Sequence, residues 1–284
     1  MKLEEFAHIY FENHQVGIRQ NTKDCYYLPA ARQFDRSVAV PVEAIDKTAA
    51  NRFVDWLKSQ NTSPKTQHGR RRAFGTLWIA ANEAGLAPDP VPFRKIVVPK
   101  KSPIAWDFET VQSIVQSVAA DRSDWINGIE FGTYWSSLFS AAWDSALRLG
   151  DLLDIEYSWI QRDTDGSGLL RKIQNKTNRE HLVRFNPGTM ALIKLSMSQC
   201  PARRLIWPLK TTRRRFYEHV KKILKTNGNQ GTFRFFRRSA ITFVESQSPG
   251  LGQQLAGHQD SRTTRESYID PLLLPKSIVN VKPL

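Results

Sequence analysis

Cysteine is nearly absent from this chain of 284 residues. Cys25 and Cys200 stand far apart, with no paired spacing and no histidine cluster beside them, so neither a disulfide framework nor a zinc site is supported. Long apolar runs are missing too, and none approaches the length needed to span a bilayer. The first residues, Met1-Lys-Leu-Glu-Glu-Phe, alternate charge with apolar side chains and lack a signal-peptide core, so a cytosolic protein with no membrane partner is expected. Acidic residues are in deficit: 27 Asp and Glu face 41 Lys and Arg, giving a net charge of +14 and a pI near 9.9. That imbalance points to a polyanion, and nucleic acid accounts for it better than a small acidic metabolite.

The apolar and aromatic content is that of a globular protein, and the length is sufficient for two domains with separate cores. Residues 1 to 86 read as a helical bundle. An apolar stripe of Ala49, Phe53, Trp56 and Leu57 marks a helix from Thr48 to Gln60, and a further helix starts at Ser63-Pro64 and stops at Ala84-Gly85. On this last helix Ala73, Leu77, Ala80, Ala81 and Ala84 face inward, whereas Lys65, Arg70, Arg71 and Arg72 crowd the N-terminal half and suit a phosphate backbone as well as they suit solvent. Residues 87 to 103 hold five prolines and four basic residues without a helical period, the composition of a linker.

A second domain, residues 104 to 284, opens with a helix near Asp107 to Ala119, followed by an aromatic core helix within Ile129 to Leu147. Three strands are expected: one in which Ile155, Tyr157 and Trp159 alternate, one from Leu169 to Gln174, and one from His181 to Phe185, forming a small antiparallel sheet. The fold class is thus mainly α, a helical bundle joined to an α+β domain. Between residues 171 and 222 fourteen Lys and Arg, Lys210 among them, face only Glu180 and Glu218. Arg213, Arg214 and Arg215 there begin an amphipathic helix suited to lie along a DNA groove.

Near the C-terminus, Arg234 and Arg237 share one side of the first turn of an apolar helix. Gly257-His258 follows, then Thr263 and Glu266 in a capping-box pattern that would start a short helix carrying Tyr268. Earlier in the chain Arg148 precedes Asp151 by three residues, so the carboxylate lies one helical turn away and is placed to hold the guanidinium.

Taken together, Arg148, the Lys-Thr hairpin at Lys176-Thr177, Arg234-x-x-Arg237, Gly257-His258 and Tyr268 resemble the signature of the tyrosine recombinase (phage integrase) family. Asn82-Glu-Ala-Gly-Leu86 before a Pro-rich connection resembles the end of that family's helical core-binding domain. The resemblance implies site-specific DNA recombination without metal or cofactor. Tyr268 would attack a DNA phosphate to form a 3′-phosphotyrosyl link, Arg148 and Arg237 would neutralise the phosphate oxygens, Lys176 would protonate the leaving 5′-oxygen, and His258 would donate to or position the phosphate. Lys172 is the rival lysine, although Lys176, directly before Thr177 and the third strand, fits the family position better. Arg234 stands where the family usually has His or Lys; it cannot act as a base but can bind phosphate and acidify Tyr268. The implied partners are double-stranded DNA, a homo-tetramer assembled on it, and accessory DNA-bending or directionality proteins. The residues left open two alternatives: a DNA-binding protein on a silent recombinase scaffold, and a type IB topoisomerase-like enzyme. They also left open whether the tail from Leu272 docks on a neighbouring protomer or on its own domain.

Overall fold

The computed structural model describes residues 1–13, 18–209 and 211–274; Lys210 and the tail from Pro275 onward lie outside the described residues. The chain divides into two compact units, Met1–Lys101 and Ser102–Leu284.

The first unit is helical. Its elements are α1 (Leu3–Asn13), α2 (Gln20–Thr22), a π-helical turn (Lys23–Tyr27), α3 (Leu28–Ser37), α4 (Lys47–Ser59) and α5 (Pro64–Glu83). Helix starts are set by side-chain caps: Asp46 accepts from the amide of Ala49, and Ser63 from that of Thr66, with Pro64 at the first helical position. The apolar stripes converge on Phe34, Phe53 and Phe74, all fully buried, with the Phe34 and Phe74 rings stacked at 4.6 Å.

Two of the arginines expected to face DNA have work inside this unit. Arg70 donates through Nη1 to the carbonyls of Cys25 and Tyr26, at 2.8 and 2.9 Å, on the π turn. Arg71 donates to the carbonyls of Phe93 and Arg94 and lies over the Phe93 ring at 4.1 Å. Lys65 and Arg72 remain exposed. A helix with an apolar inner face must place part of a four-residue basic cluster along its flanks, where backbone acceptors from neighbouring segments compete with solvent for the guanidinium.

Much of the Pro-rich segment packs on this unit. Phe93 packs edge-on against Phe74 and at a tilt against Trp78, Ile96 is buried in the same core, and the Trp78 indole donates to the carbonyl of Pro88.

The second unit contains α6 (Phe108–Ala119), β1 (Trp125–Ile126), β2 (Ile129–Glu130), α7 (Phe131–Ser145), α8 (Leu149–Leu153), β3 (Gln161–Arg162), β4 (Gly168–Ile173), β5 (Glu180–Phe185), α9 (Pro187–Gln199), α10 (Arg213–Thr226), α11 (Arg234–Gln247), α12 (Leu251–Ala256) and α13 (Ser261–Ser267). Helix α7 is buried on nearly every side, as its apolar composition requires, and its Trp135 and Phe139 pack against Phe216 of α10 and Phe236 of α11.

The sheet is antiparallel in the order β3-β4-β5, with Lys172 opposite His181 and Ile173 opposite Glu180. Its first strand is not the alternating Ile155, Tyr157, Trp159 run. Tyr157–Trp159 forms a 3-10 turn because Ile155 is drawn into the core, where its carbonyl accepts from the amide of Ile206. The pairing falls to Gln161 and Arg162 instead. No helix among the described residues is long and apolar enough to cross a membrane.

Because Ile96 is buried and stationed in the first core, Ile96→Ala is expected to destabilise that unit by about 2–3 kcal/mol in urea unfolding. A cost near zero would mean that the Pro-rich segment is a free tether.

Candidate active site

The second unit brings Arg148, Arg237, His258 and Tyr268 together from four separate elements. Helix α7 ends at Ala146, a buried non-glycine residue in the left-handed conformation (φ 46°), and this reversal directs the Ala146 carbonyl at Arg237 and leads the chain directly to Arg148.

Arg237, in the first turn of α11, is only 3 % exposed. It donates through Nη1 to the Ala146 carbonyl, through Nη2 to the Ala256 carbonyl at 3.0 Å, and it meets His258 Nε2 at 3.1 Å. Burial pulls its pKa down to about 10, so it stays a cation at neutral pH.

A guanidinium can only donate, so His258 Nε2 is the acceptor, and Nδ1–H points to Thr264 Oγ1 at 3.0 Å. Burial first, then the charges of Arg237 and Arg148, push the imidazole pKa down to about 4. His258 is therefore neutral at pH 7 and orients Arg237; it has no spare N–H for a phosphate in this tautomer.

Gly257 lets the end of α12 lie against Gln174 and His181. It ends α12 at φ 63°, and a Cβ there would lie 2.9 Å from both Gln174 Nε2 and His181 Nδ1.

Tyr268 follows α13 as its C-cap, its ring 4.8 Å from the His258 ring and 5.0 Å from the Arg237 guanidinium. Burial raises the phenol pKa, but the charges of Arg237, Arg148 and Arg234 together outweigh it, leaving the phenol below its usual value. Helix α13 is capped by Asp260, whose side chain accepts from the amide of Arg262. The expected Thr263–Glu266 box does not form, because the helix is capped three residues earlier, at Asp260, and Glu266 pairs with Arg262.

Arg148 caps α8, and its Nη1 donates to Gln174 Oε1 at 2.9 Å, while Asp151 stands farther off at 4.0 Å. The firmer bond of Asp151 is to the backbone amide of Asn175, at 2.7 Å, so this carboxylate mainly holds the hairpin. Gln174, also bonded to Thr177 Oγ1, links Arg148 to the turn that carries Lys176. Sequence reasoning missed Gln174. The available signal was its register: it shares the inward face of β4 with Leu170 and Lys172, and a buried amide there needs partners.

The two rival lysines separate clearly. Lys172 is buried with its ammonium 5.3 Å from the centre of the Trp159 ring. Lys176 is exposed on the hairpin, and its charge is among those that lower the His258 pKa. Arg238, also missed, lies over the Phe235 ring at 5.6 Å, and burial first, then the charge of Arg234, lowers its pKa.

Of the α10 arginines, Arg213 reaches toward Gly150 beside Arg148, Arg214 pairs with Glu218, and Arg215 is exposed. Lys65, Arg70, Arg71 and Arg72 belong to the other unit.

The depressed His258 pKa has a stability consequence. Between its ordinary value of 6.5 and about 4 the unfolded chain binds the proton more readily than the folded one, so stability should fall as pH falls through that window. His258→Gln should flatten this part of a melting-temperature profile against pH, while a slope identical to that of the parent would mean that the imidazole is not held neutral.

No family model and no curated protein matches this chain. Solved structures do. The XerH site-specific recombinase bound to difH substrate in a pre-cleavage complex is 14% identical, with a TM-score of 0.70 over 95% of this chain and 92% of that one. The Tn1549 transposon integrase in complex with circular intermediate DNA is 11% identical, with a TM-score of 0.71 over 93% and 94%. Lambda integrase bound to DNA is 16% identical, with a TM-score of 0.70 over 95% and 96%. At such identities the likeness is one of architecture: this chain, mainly helical with a small three-stranded antiparallel sheet, shares the fold of these recombinase and integrase structures.

Proposed function

We propose that this protein is a site-specific DNA recombinase that breaks and rejoins strands through a 3′-phosphotyrosyl intermediate. The observation that carries the reading is the convergence of a buried, fully charged Arg237, Arg148 and a neutral His258 on a tyrosine whose phenol those charges acidify. The proteins that share its architecture were solved on DNA, and the surplus of basic residues suits the same partner.

In this mechanism Tyr268 Oη attacks phosphorus, forming the phosphotyrosyl bond as the bond to the 5′-oxygen breaks. The phenol proton passes to water, the lowered pKa serving in place of a dedicated base. Arg148 and Arg237 balance charge on the nonbridging oxygens, where planar multi-donor heads are most effective. Lys176, exposed on its hairpin, delivers the proton to the leaving oxygen. Attack by a 5′-hydroxyl of another strand reverses the step, and a homo-tetramer on DNA supplies that strand.

The test begins with a duplex selected from a randomised pool by binding to Tyr268→Phe, then nicked next to the cleavage position so that cleavage cannot reverse. The parent protein should form a covalent adduct on it, and Tyr268→Phe should bind without forming one. Binding without any adduct would favour a silent scaffold, and supercoil relaxation without strand exchange a topoisomerase-like enzyme.

Lys176→Ala should be slow on ordinary DNA, by about 100-fold, and recover on a 5′-bridging phosphorothiolate, whose sulfur leaves without a proton. Arg148→Ala and Arg237→Ala should show no such recovery. Rescue of Lys172→Ala instead would move the acid to β4.

Salt dependence separates the basic residues of α5. Arg72→Ala should lower the slope of log affinity against log salt by about 0.9 if Arg72 meets one phosphate. Arg70→Ala and Arg71→Ala should act mainly on stability, since their donors are engaged within the unit.

A further inference from the structure

The ring of Tyr268 is located by Arg237 and His258, but its backbone is located by a separate set of bonds. Thr242, on α11 and 1 % exposed, donates through Oγ1 to the carbonyl of Tyr268 at 3.1 Å and accepts from the amide of Asp270 at the same distance. One hydroxyl thus spans the residues on either side of Ile269, using both its donor and an acceptor lone pair.

The carboxylate of Asp270 is itself 6 % exposed and reaches in two directions. Oδ1 accepts from the amide of Leu272 at 3.0 Å, which fixes the turn after the tyrosine. Oδ2 accepts from the amide of Ala105 at 3.0 Å, across 165 positions of sequence. Beside it the amide of Trp106 donates to Ser239 Oγ at 2.7 Å, one helical turn before Thr242, and the Trp106 ring lies on Phe235 and Phe236 at 4.9 and 5.3 Å. The second unit begins at Ser102, so Ala105 and Trp106 lie on the segment by which the chain passes from one unit into the other.

A buried carboxylate costs desolvation energy, and joining two pieces of chain does not require one. This carboxylate stands two residues past the candidate nucleophile, with both oxygens on backbone amides. We propose that Asp270 is a positioning residue for Tyr268, and that the incoming segment at Ala105 and Trp106 is bonded into that positioning, so that displacing the segment displaces the phenol. The proposal rests on the recombinase reading for its consequence in cleavage, and on the contacts alone for the coupling. It makes the covalent connection between the two units a control element for the nucleophile.

The test uses the full chain. Asp270→Asn cannot accept from both the Leu272 and Ala105 amides, and Ala105→Pro removes one donor from the opposite end. On the selected nicked duplex at saturating protein, each should cleave about 100-fold more slowly, the loss associated with an ångström-scale misplacement, with DNA affinity unchanged. Asp270→Ala, which removes the acceptor of the Ala105 amide outright, should be no slower when combined with Ala105→Pro than the slower of the two alone, because both changes break the same bond. Thr242→Ser should cleave like the parent, and Thr242→Val should not. Folded variants that cleave at the parental rate, or losses that add, overturn the proposal.

Amide hydrogen exchange decides the coupling without DNA. In Asp270→Asn, residues 104–107 and 266–270 should gain exchange together, and a gain confined to one of the two segments overturns the proposal. Should the parent form no adduct on any duplex, the recombinase reading fails, while the exchange result still rules on the latch.

Discussion

A cation buried without a bonded carboxylate governs the second unit. Arg237 is held by two main-chain carbonyls and one imidazole nitrogen, and none of these carries a negative charge. Neutral acceptors satisfy its hydrogen-bonding geometry but leave most of the desolvation cost of the charge in place, and the pKa drawn down to about 10 is the signature of that residue of cost. Its Nε also lacks a partner among the described residues. An anion arriving beside it would recover energy that folding left unrecovered. Burial comes first in keeping His258 neutral, and the same unbalanced charge, with Arg148, adds to it there while outweighing burial at the Tyr268 phenol, which it leaves below its usual pKa.

How much of this was legible in the letters depends on whether a feature is local. The helices starting at Ser63-Pro64 and near Asp107, and the hairpin around Lys176, follow from short-range rules and are found as expected. The order Arg148, Lys176, Arg237, His258, Tyr268 carried the architecture because spaced polar residues in a fixed sequence are rarely accidental. What the letters withheld was where a side chain spends its hydrogen bonds. Arg70 and Arg71 look like their neighbour Arg72, and only the folded backbone shows that carbonyls from Cys25, Tyr26, Phe93 and Arg94 lie within their reach. Gln174 and Asp270 were overlooked for the same reason, since their partners lie far away in sequence. The alternation at Ile155 to Trp159 misled because burial of one residue in a core outweighs a period of two over so short a run.

Neighbouring contacts in the site answer different needs. Helix α12 with Gly257 sets how closely the chain before His258 lies to Gln174 and His181, α11 sets the Arg237 guanidinium, and the hairpin carries Lys176. Gln174 accepts from both Arg148 and Thr177, so a movement of the hairpin is also felt at Arg148.

The π turn at Lys23–Tyr27 gives chain length a say in surface charge. A widened turn tilts its carbonyls away from the helix axis, and Arg70 fastens onto two of them. It holds one residue more than the ordinary helical repeat. A homologous chain shorter by that residue would run as an uninterrupted α-helix, its carbonyls would turn back to their own amides, and the arginine at this position would lose its acceptors and swing outward. Insertion or deletion at a single point in one helix can therefore recruit or retire a cation on another, without any substitution among the basic residues themselves.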